Sequence, residues 1–190
     1  MNLSELRRLC ERGERLDYLL FWGHTQKQAG KVDASCFSQW FIAPFTLNSQ
    51  LYLTAEHYMM AAKARLFGDE ARLQKILLAK SPAQAKKLGR LVSGFDEQVW
   101  RAHREDIVLQ ANRAKFTQHP EFAAFLLATK QKVIVEASPY DKIWGIGMSR
   151  EHVHAEQPRN WRGLNLLGFA LMQVRAELAQ NAIVSSQPQK

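Results

Sequence analysis

The sequence predicts an α+β fold, a mostly helical single domain with a small β-sheet. Apolar residues recur at helical spacing through most of residues 54–129, and capping residues precede several of these segments. The apolar or β-branched runs typical of strands are few and short. A length of 190 residues with 46% hydrophobic residues suits one domain with a sizeable core. We expect that domain over residues 1–180 and a polar tail over residues 181–190.

The first quarter of the chain predicts one helix and three short strands. Ser4 is a suitable N-cap for the helix. The strands are predicted from apolar runs flanked by turn residues, at Tyr18–Trp22, Ser38–Ala43 and Gln50–Leu53.

Five helices are predicted in the middle of the chain. Thr54 is an N-cap and Gly68 a stop signal for the first, while Ser81-Pro82 is typical of a helix start. The expected ranges are Thr54–Gly68, Asp69–Ala79, Ser81–Val92, Gln98–Phe116 and Pro120–Thr129.

The last third predicts one strand, one long loop and a final helix. Lys132–Glu136 is short and β-branched, which favours a strand. Pro139–Asn165 is rich in Gly, Trp, His and Arg and has little periodicity. Loops of this length are uncommon unless they are functional, so we interpret it as a functional loop. Gly168–Gln180 predicts the final helix.

Glu56 and Lys63 are the most informative pair of residues. They are seven residues apart, so helical periodicity puts them on nearly the same face, about 10 Å apart along the axis. A carboxylate and an amine on one apolar face could contact one substrate from two positions along the helix axis. Spacing alone also allows two ordinary surface residues, because Glu is favoured near helix N-termini and Lys is common on exposed helices.

The charge and the cysteines limit the function class. The formal net charge of +8 favours a polyanionic partner, although no run of five basic residues forms a nucleic-acid tail. No stretch approaches the roughly 20 apolar residues that span a bilayer, so no membrane association is expected. The mixed-charge N-terminus lacks a secretory pattern, and Cys10 and Cys36 have no metal-ligand spacing. These features predict a reduced cytoplasmic protein.

Several other side chains could take part in chemistry or could be structural. Asp141, on a Gly-rich turn, could approach a ligand or could cap the turn, and Glu136 closes the predicted strand. Trp100 could stack on a heterocycle or pack in a helix. Arg90 could reach phosphate oxygens. Further candidates for a pocket wall are Trp22, Trp40 and Trp144. The lone His152-x-His154 motif is weak evidence for zinc, so no metal site is expected.

The run Thr54-Ala55-Glu56-His57-Tyr58-Met59-Met60-Ala61-Ala62-Lys63 resembles the signature helix of the NADAR (YbiA-like) family. The similarity continues in order over about residues 20–180. Its further blocks are Phe37–Trp40, Gly89-Arg90, Trp100, Lys115-Phe116, Leu126–Thr129, Asp141–Gly147, Gly163–Gly168 and Leu171–Arg175. The family consists largely of N-glycosidases that act on ribosylated amines, including early riboflavin-pathway intermediates and ADP-ribosylated guanine.

The resemblance implies a metal-independent hydrolase of N-glycosyl bonds that needs no cofactor. It implies catalytic roles for Glu56, Lys63 and Asp141. The substrate-binding residues that it implies are Tyr58, Arg90, Trp100, Trp144, Gly145 and Asn165. The expected substrate carries a phosphoribosyl or ADP-ribosyl group.

Three alternatives stay open at this point. Lys63 could form a Schiff base with the sugar or could serve as a fixed cation for a phosphate. The protein could instead be a non-catalytic module that binds NAD or ADP-ribose. The substrate could be a small riboflavin intermediate or ADP-ribosylated nucleic acid, and the basic segment Arg150–Arg162 favours the larger one. The sequence does not indicate an oligomeric state.

Overall fold

The computed structural model describes residues 1–185 and confirms the α+β class, with helices as the main component. The helices within this range are α1 (Leu3–Glu11), α2 (Ala55–Leu66), α3 (Glu70–Leu77), α4 (Pro82–Gly89), α5 (Glu97–Gln118), α6 (Pro120–Ala128) and α7 (Leu166–Ser185). The strands are β1 (Tyr18–Phe21), β2 (Phe45–Leu47), β3 (Gln50–Tyr52) and β4 (Val133–Glu136). Short 3-10 turns occur at Ala34–Phe37 and Pro158–Asn160.

The chain forms two compact units. The first comprises Met1–Phe37 together with the chain from Pro120 onward, and the second comprises Ser38–His119. The expectation of one domain over residues 1–180 stays a prediction.

The first unit is built on the parallel pair of β1 and β4. Tyr18 lies opposite Val133, and Phe21 lies opposite Glu136. Residues Val133, Ile134 and Val135 are almost fully buried, as expected for a strand covered on both faces. Helix α7 packs on β4. The core around this strand also contains Leu6, Ile146, Met148, Trp161 and Phe169.

The second unit surrounds α2 with other helices. Helices α3, α4 and α5 all pack against it. Gly89 at the end of α4 is required for this packing, because a Cβ at that position would overlap the Met60 side chain. The antiparallel hairpin of β2 and β3 completes the unit, with the ring of Tyr52 edge-on to the ring of Tyr58 at a centroid distance of 5.1 Å.

Most predicted elements are confirmed, and local signals explain why. Thr54 caps α2 by accepting a hydrogen bond from the His57 backbone N–H, and Gly68 follows the helix with φ of 69°. Ser81 caps α4 in the same way. The loop over residues 139–165 has no regular element longer than the 3-10 turn at Pro158–Asn160.

Two predictions near the N-terminus are wrong. Asn2 caps α1, not Ser4, because Asn2 and Glu5 form a reciprocal capping box. Ser38–Ala43 is not a strand. Asn48 and Ser49 adopt positive φ, which makes a two-residue hairpin turn and assigns the pairing strand to Phe45–Leu47. Ser38 begins a turn instead, and its Oγ accepts a hydrogen bond from the Trp40 N–H at 3.1 Å.

Two helix ends also differ from the prediction. Helix α4 ends at Gly89, before Val92, since the Leu91 N–H bonds to the Leu88 carbonyl and tightens the chain. Helix α7 continues past Gln180 to Ser185, because no Gly or Pro interrupts the chain there. The predicted tail is therefore helical over residues 181–185, and residues 186–190 lie outside the described range. No helix in the described part of the chain has both the length and the apolar composition needed to cross a membrane.

Candidate active site

Helix α2 carries polar side chains although it is buried on nearly all sides. Every residue from Ala55 to Ala61 is buried. Burying a polar or charged group is costly unless it is hydrogen-bonded or paired. The second unit therefore differs from an ordinary apolar core at α2, because buried polar side chains lie on this helix.

Glu56 lies in the first turn of α2 with only 3% of its surface exposed. Its backbone N–H donates to the Gln39 carbonyl at 2.9 Å, which fixes the start of the helix. The side chain of Gln39 is itself held by Asn112, whose Nδ2 donates to Gln39 Oε1 at 3.0 Å. The helix N-terminus provides partial positive charge beside the carboxylate. Glu56 is thus a carboxylate held in a defined, largely dry position.

Lys63 lies near the other end of α2 and is half-buried between aromatic rings. Its Nζ is 4.1 Å from the centroid of the Phe95 ring and 5.7 Å from that of Trp100. Burial lowers the pKa of the Lys63 amine, while the negative charge of Glu97 opposes this shift. Within residues 1–185 no carboxylate lies within ion-pairing distance of Nζ. The amine is therefore more readily deprotonated than an exposed lysine.

The structure brings two predicted site residues, Lys63 and Trp100, into contact, and it adds Phe95. Phe95, which follows the tight turn at Ser93-Gly94, is not among the residues predicted from the sequence. Asp69 fixes that turn by accepting hydrogen bonds from the Ser93 N–H at 2.9 Å and Oγ at 2.7 Å. Gly94 signals the turn in the sequence, but nothing local indicates that Phe95 packs over the lysine.

Two other predicted residues of the second unit lie elsewhere. Tyr58 is buried, and its hydroxyl donates to Gln110 Oε1 at 2.8 Å, which ties α2 to α5. Arg90 is the exposed C-cap of α4. Within residues 1–185, Arg90 forms no hydrogen bond, ion pair or ring contact with Glu56, Lys63 or Trp100. Substrate contacts of Tyr58 and Arg90 stay predictions.

Asp141 shapes the loop of the first unit. Its Oδ1 accepts hydrogen bonds from the backbone N–H groups of Ile143 at 2.8 Å and Trp144 at 2.7 Å. This is the turn-capping role that the sequence allowed. Among the described residues, none donates a hydrogen bond to Oδ2. Asp141 therefore combines a fixed orientation with one carboxylate oxygen that the loop does not use.

Asn165 links this loop to β4. The residue is fully buried with φ of 55°, its Oδ1 accepts from the Glu136 N–H at 3.0 Å, and its Nδ2 donates to the Ile134 carbonyl at 2.9 Å. Its own N–H donates to the Gly145 carbonyl at 3.1 Å. Asn165 thus hydrogen-bonds to the β4 backbone as a neighbouring strand would. Its own N–H positions Gly145. A direct contact of either residue with substrate stays a prediction.

An exposed aromatic pair flanks Asp141. Trp22 is 54% exposed, Tyr140 is 87% exposed, and their ring centroids are 6.2 Å apart. Trp144 is half-buried, and Glu136 closes β4. Exposed aromatic faces can stack on bases with little sequence preference.

The His-x-His motif is engaged locally. His154 Nδ1 bonds to Gln157 Oε1 at 2.9 Å, and the His154 N–H donates to His152 Nδ1 at 3.1 Å. Over residues 1–185, no three His, Cys, Asp or Glu side chains are grouped as metal ligands.

Comparisons with known proteins give a consistent result. Residues 20–179 match the family described as NADAR domain. N-glycosidase R617 of Acanthamoeba polyphaga mimivirus is 44% identical over 168 residues, covering 86% of this chain and 97% of that protein. Riboflavin biosynthesis protein PYRR, chloroplastic, of Zea mays is 39% identical over 132 residues, covering 66% of this chain but 19% of that protein.

A solved structure supports the same grouping. N-glycosidase YbiA of Escherichia coli (strain K12) is 35% identical over 147 residues, covering 77% of this chain and 81% of that protein. The NMR structure of the E. coli protein YbiA aligns with a TM-score of 0.69 at 28% identity, covering 93% of this chain and 92% of that one.

His57 generates a prediction for stability. Its ring is buried, with Nδ1 bonded to Thr54 Oγ1 at 2.8 Å and Nε2 to the Ala79 carbonyl at 3.1 Å. Burial lowers the pKa of His57. The unfolded chain, with a His pKa of about 6.5, then binds more protons than the folded one. Stability is retained above about pH 6.5 and falls as the pH drops below it.

The measurement is the free energy of unfolding in urea at pH 7 and pH 5.5. We expect His57 to account for part of the loss on acidification, because its pKa is lowered by burial, so His57→Gln should show a smaller loss than wild type. His103→Gln, which changes an exposed histidine, is the control and should behave as wild type. An equal pH dependence in His57→Gln and wild type would contradict the prediction.

Proposed function

The chain belongs to the NADAR family, and we infer that it is an N-glycosidase, a hydrolase that cleaves N-glycosyl bonds. The observation that carries this inference is the match to N-glycosidases over most of the chain. The matched residues include Glu56, Lys63, Trp100 and Asp141. The arrangement of α2 supports it, since that helix holds a buried carboxylate and an amine of lowered pKa.

Cleavage of an N-glycoside makes three chemical demands. The leaving amine must gain a proton, the positive charge that develops at the anomeric carbon must be stabilised, and water must finally add to that carbon. A buried carboxylate can exchange a proton with the leaving nitrogen when its position is fixed. Glu56 meets this requirement, because the Thr54 cap and the Gln39 carbonyl fix the helix turn that carries it.

Lys63 is proposed as the nucleophile. A ribosylated amine opens to an imine between C1 and the amine nitrogen. The neutral Lys63 Nζ adds to C1, the bond from C1 to the leaving nitrogen breaks, and the amine departs with a proton. A lysine–sugar imine remains. Water adds to its C1, and the C1–Nζ bond breaks to release the sugar and regenerate the amine.

The lowered pKa of Lys63 supports this role over that of a permanent cation. Only the neutral amine can attack carbon, and burial favours the neutral form. The rings of Phe95 and Trp100 attract the protonated form, which opposes the effect of burial but holds the amine in a fixed place. Trp100 is proposed to stack on the heterocycle of the leaving group.

Asp141 is proposed to act through its unused Oδ2. A carboxylate there can stabilise positive charge at the anomeric carbon or orient the attacking water. Its backbone contacts with Ile143 and Trp144 fix its direction. The reaction is proposed to need no metal and no cofactor, because acid, base and nucleophile are all supplied by side chains.

Two substrate classes fit the proposal. The relationship to a riboflavin biosynthesis protein supports phosphoribosyl amines with a pyrimidine ring. The charge of +8, the basic residues of Arg150–Arg162 and the exposed Trp22–Tyr140 pair support ADP-ribosylated guanine in nucleic acid, whose ADP-ribosylation would be reversed. We propose action on both bonds, with the basic loop setting the preference. Two free cysteines agree with a cytoplasmic location.

The role assignment predicts loss of turnover in three variants. Glu56→Gln, Lys63→Met and Asp141→Asn should each lower the release of free base from a ribosylated amine by at least about 100-fold. Release is measured by chromatography, and folding by circular dichroism and thermal unfolding. Activity should survive excess chelator.

The controls are Glu105→Gln and Lys75→Met, which remove exposed charges from α5 and α3. Both should retain full activity. Normal turnover in any two of the three site variants would refute the assignment. Saturable binding of ADP-ribose without release of base from any substrate would favour the binding module.

The substrate proposal predicts a difference in salt dependence. Turnover of an ADP-ribosylated oligonucleotide should fall steeply between about 50 and 200 mM salt, because bound phosphates release counterions. Turnover of a small phosphoribosyl amine should change little. Changing Arg150, Arg159 and Arg162 together to Gln should weaken action on the oligonucleotide and spare the small substrate. Equal losses on both would show that the loop supports the pocket and does not select the substrate.

A further inference from the structure

Arg104 is a buried arginine that forms no hydrogen bond or ion pair within residues 1–185. It lies in the middle of α5, its side chain is on the buried side of the helix, and only 5% of its surface is exposed. Its Nε is fully buried and forms no hydrogen bond within the described residues, whereas its two terminal nitrogens are not fully buried and reach solvent. Within residues 1–185, no side chain or carbonyl accepts a hydrogen bond from its guanidinium, and no carboxylate pairs with it. A buried charge without a counter-charge is destabilising.

Other arginines in this protein show what a structural role looks like. Arg175 is also buried, but its Nη1 donates to Thr129 Oγ1 at 2.7 Å and to the Lys132 carbonyl at 2.9 Å. Arg101, one turn before Arg104, is exposed and pairs with Glu97 at 3.6 Å. Within the described residues Arg104 lacks the internal partners of the first, and it is far less exposed than the second. A bound ligand is therefore the candidate partner for the Arg104 guanidinium.

The position of Arg104 relates it to the lysine. Arg104 follows Trp100 by four residues, so the two side chains lie on the same face of α5, about 6 Å apart along the axis. Lys63 Nζ lies over the Trp100 ring, and α5 packs along α2. The buried face of α5 thus presents an aromatic ring and a guanidinium in succession beside the proposed nucleophile.

We propose that Arg104 binds the phosphate on the ribose 5′ carbon of the substrate. The proposal rests on the N-glycosidase function and specifies it. Trp100 stacks on the heterocycle, Lys63 attacks the anomeric carbon, and Arg104 binds the phosphate at the other end of the sugar. A guanidinium presents two parallel N–H donors to phosphate oxygens, which makes it both a strong and an orienting ligand. Arg104 then selects 5′-phosphorylated ribosyl amines, as monophosphates or diphosphates, over the corresponding nucleosides.

The test compares a ribosyl amine with its 5′-phosphate. Wild type should hydrolyse the phosphorylated compound with the higher kcat/KM. Arg104→Gln should lose about 10- to 100-fold on the phosphorylated compound, as expected for hydrogen bonds to a charged group. It should change little on the nucleoside, and the loss should appear mainly in KM. Arg104→Lys should recover part of the preference, and the control Arg101→Gln should equal wild type.

A binding measurement separates this proposal from the function on which it rests. Ribose 5-phosphate should raise the unfolding temperature of wild type and of Arg101→Gln but not of Arg104→Gln, and ribose should raise none of them. Without ligand, Arg104→Gln should be at least as stable as wild type, because it removes an uncompensated buried charge. A structural arginine would instead leave a destabilised variant with equal losses on both substrates.

The outcomes are distinguishable. If wild type releases base but Arg104→Gln keeps the full preference for the phosphorylated compound, the role of Arg104 is overturned and the N-glycosidase function stands. If wild type releases no base yet binds ribose 5-phosphate only when Arg104 is present, the function fails and the phosphate site stands. Binding of ribose 5-phosphate that is equal in both proteins overturns the proposal.

Discussion

The burial of α2 on nearly all sides is the constraint on which the packing of the second unit and its proposed chemistry depend. Small residues and the glycine of α4 allow three helices to pack against it, and a Cβ on Gly89 would already overlap Met60. A helix in this setting can carry polar groups only if each is satisfied or used. His57 is satisfied by Thr54 and the Ala79 carbonyl. Lys63 is half-buried beside the rings of Phe95 and Trp100, and burial lowers its pKa, which supports the proposal that it is a reactive group and not a structural one.

In the first unit, the proposed catalytic residue Asp141 lies on a loop without regular secondary structure that is held by backbone contacts. Gly163 and Gly168 lie so close to neighbouring carbonyls that a Cβ on either would overlap them. The side-chain amide of Asn165 forms hydrogen bonds to the β4 backbone that a neighbouring strand would otherwise form. These contacts give the loop a defined backbone conformation. Asp141 Oδ1 caps the turn, and this fixes the orientation of Oδ2.

Local signals made α2 and its two charged residues predictable, whereas packing between distant segments did not. Thr54 and Gly68 bound the helix, and periodicity places Glu56 and Lys63 on one face. The hairpin was misplaced because its register depends on positive φ at Asn48 and Ser49, for which their side chains are only a weak signal. Arg104 was missed because its burial and lack of partners depend on neighbours far away in sequence. In the sequence it is one more basic residue of a long helix.

Reductive trapping tests most directly whether the Lys63 amine forms a covalent bond with the sugar, as proposed. Borohydride added during turnover of a ribosyl amine reduces a lysine–sugar imine to a stable amine, and mass spectrometry of peptides locates the added mass. We expect the adduct on Lys63 in wild type, dependent on substrate, and its absence in Lys63→Met. Rapid turnover with no adduct, or an adduct on another lysine, would contradict the claim and leave water as the direct nucleophile.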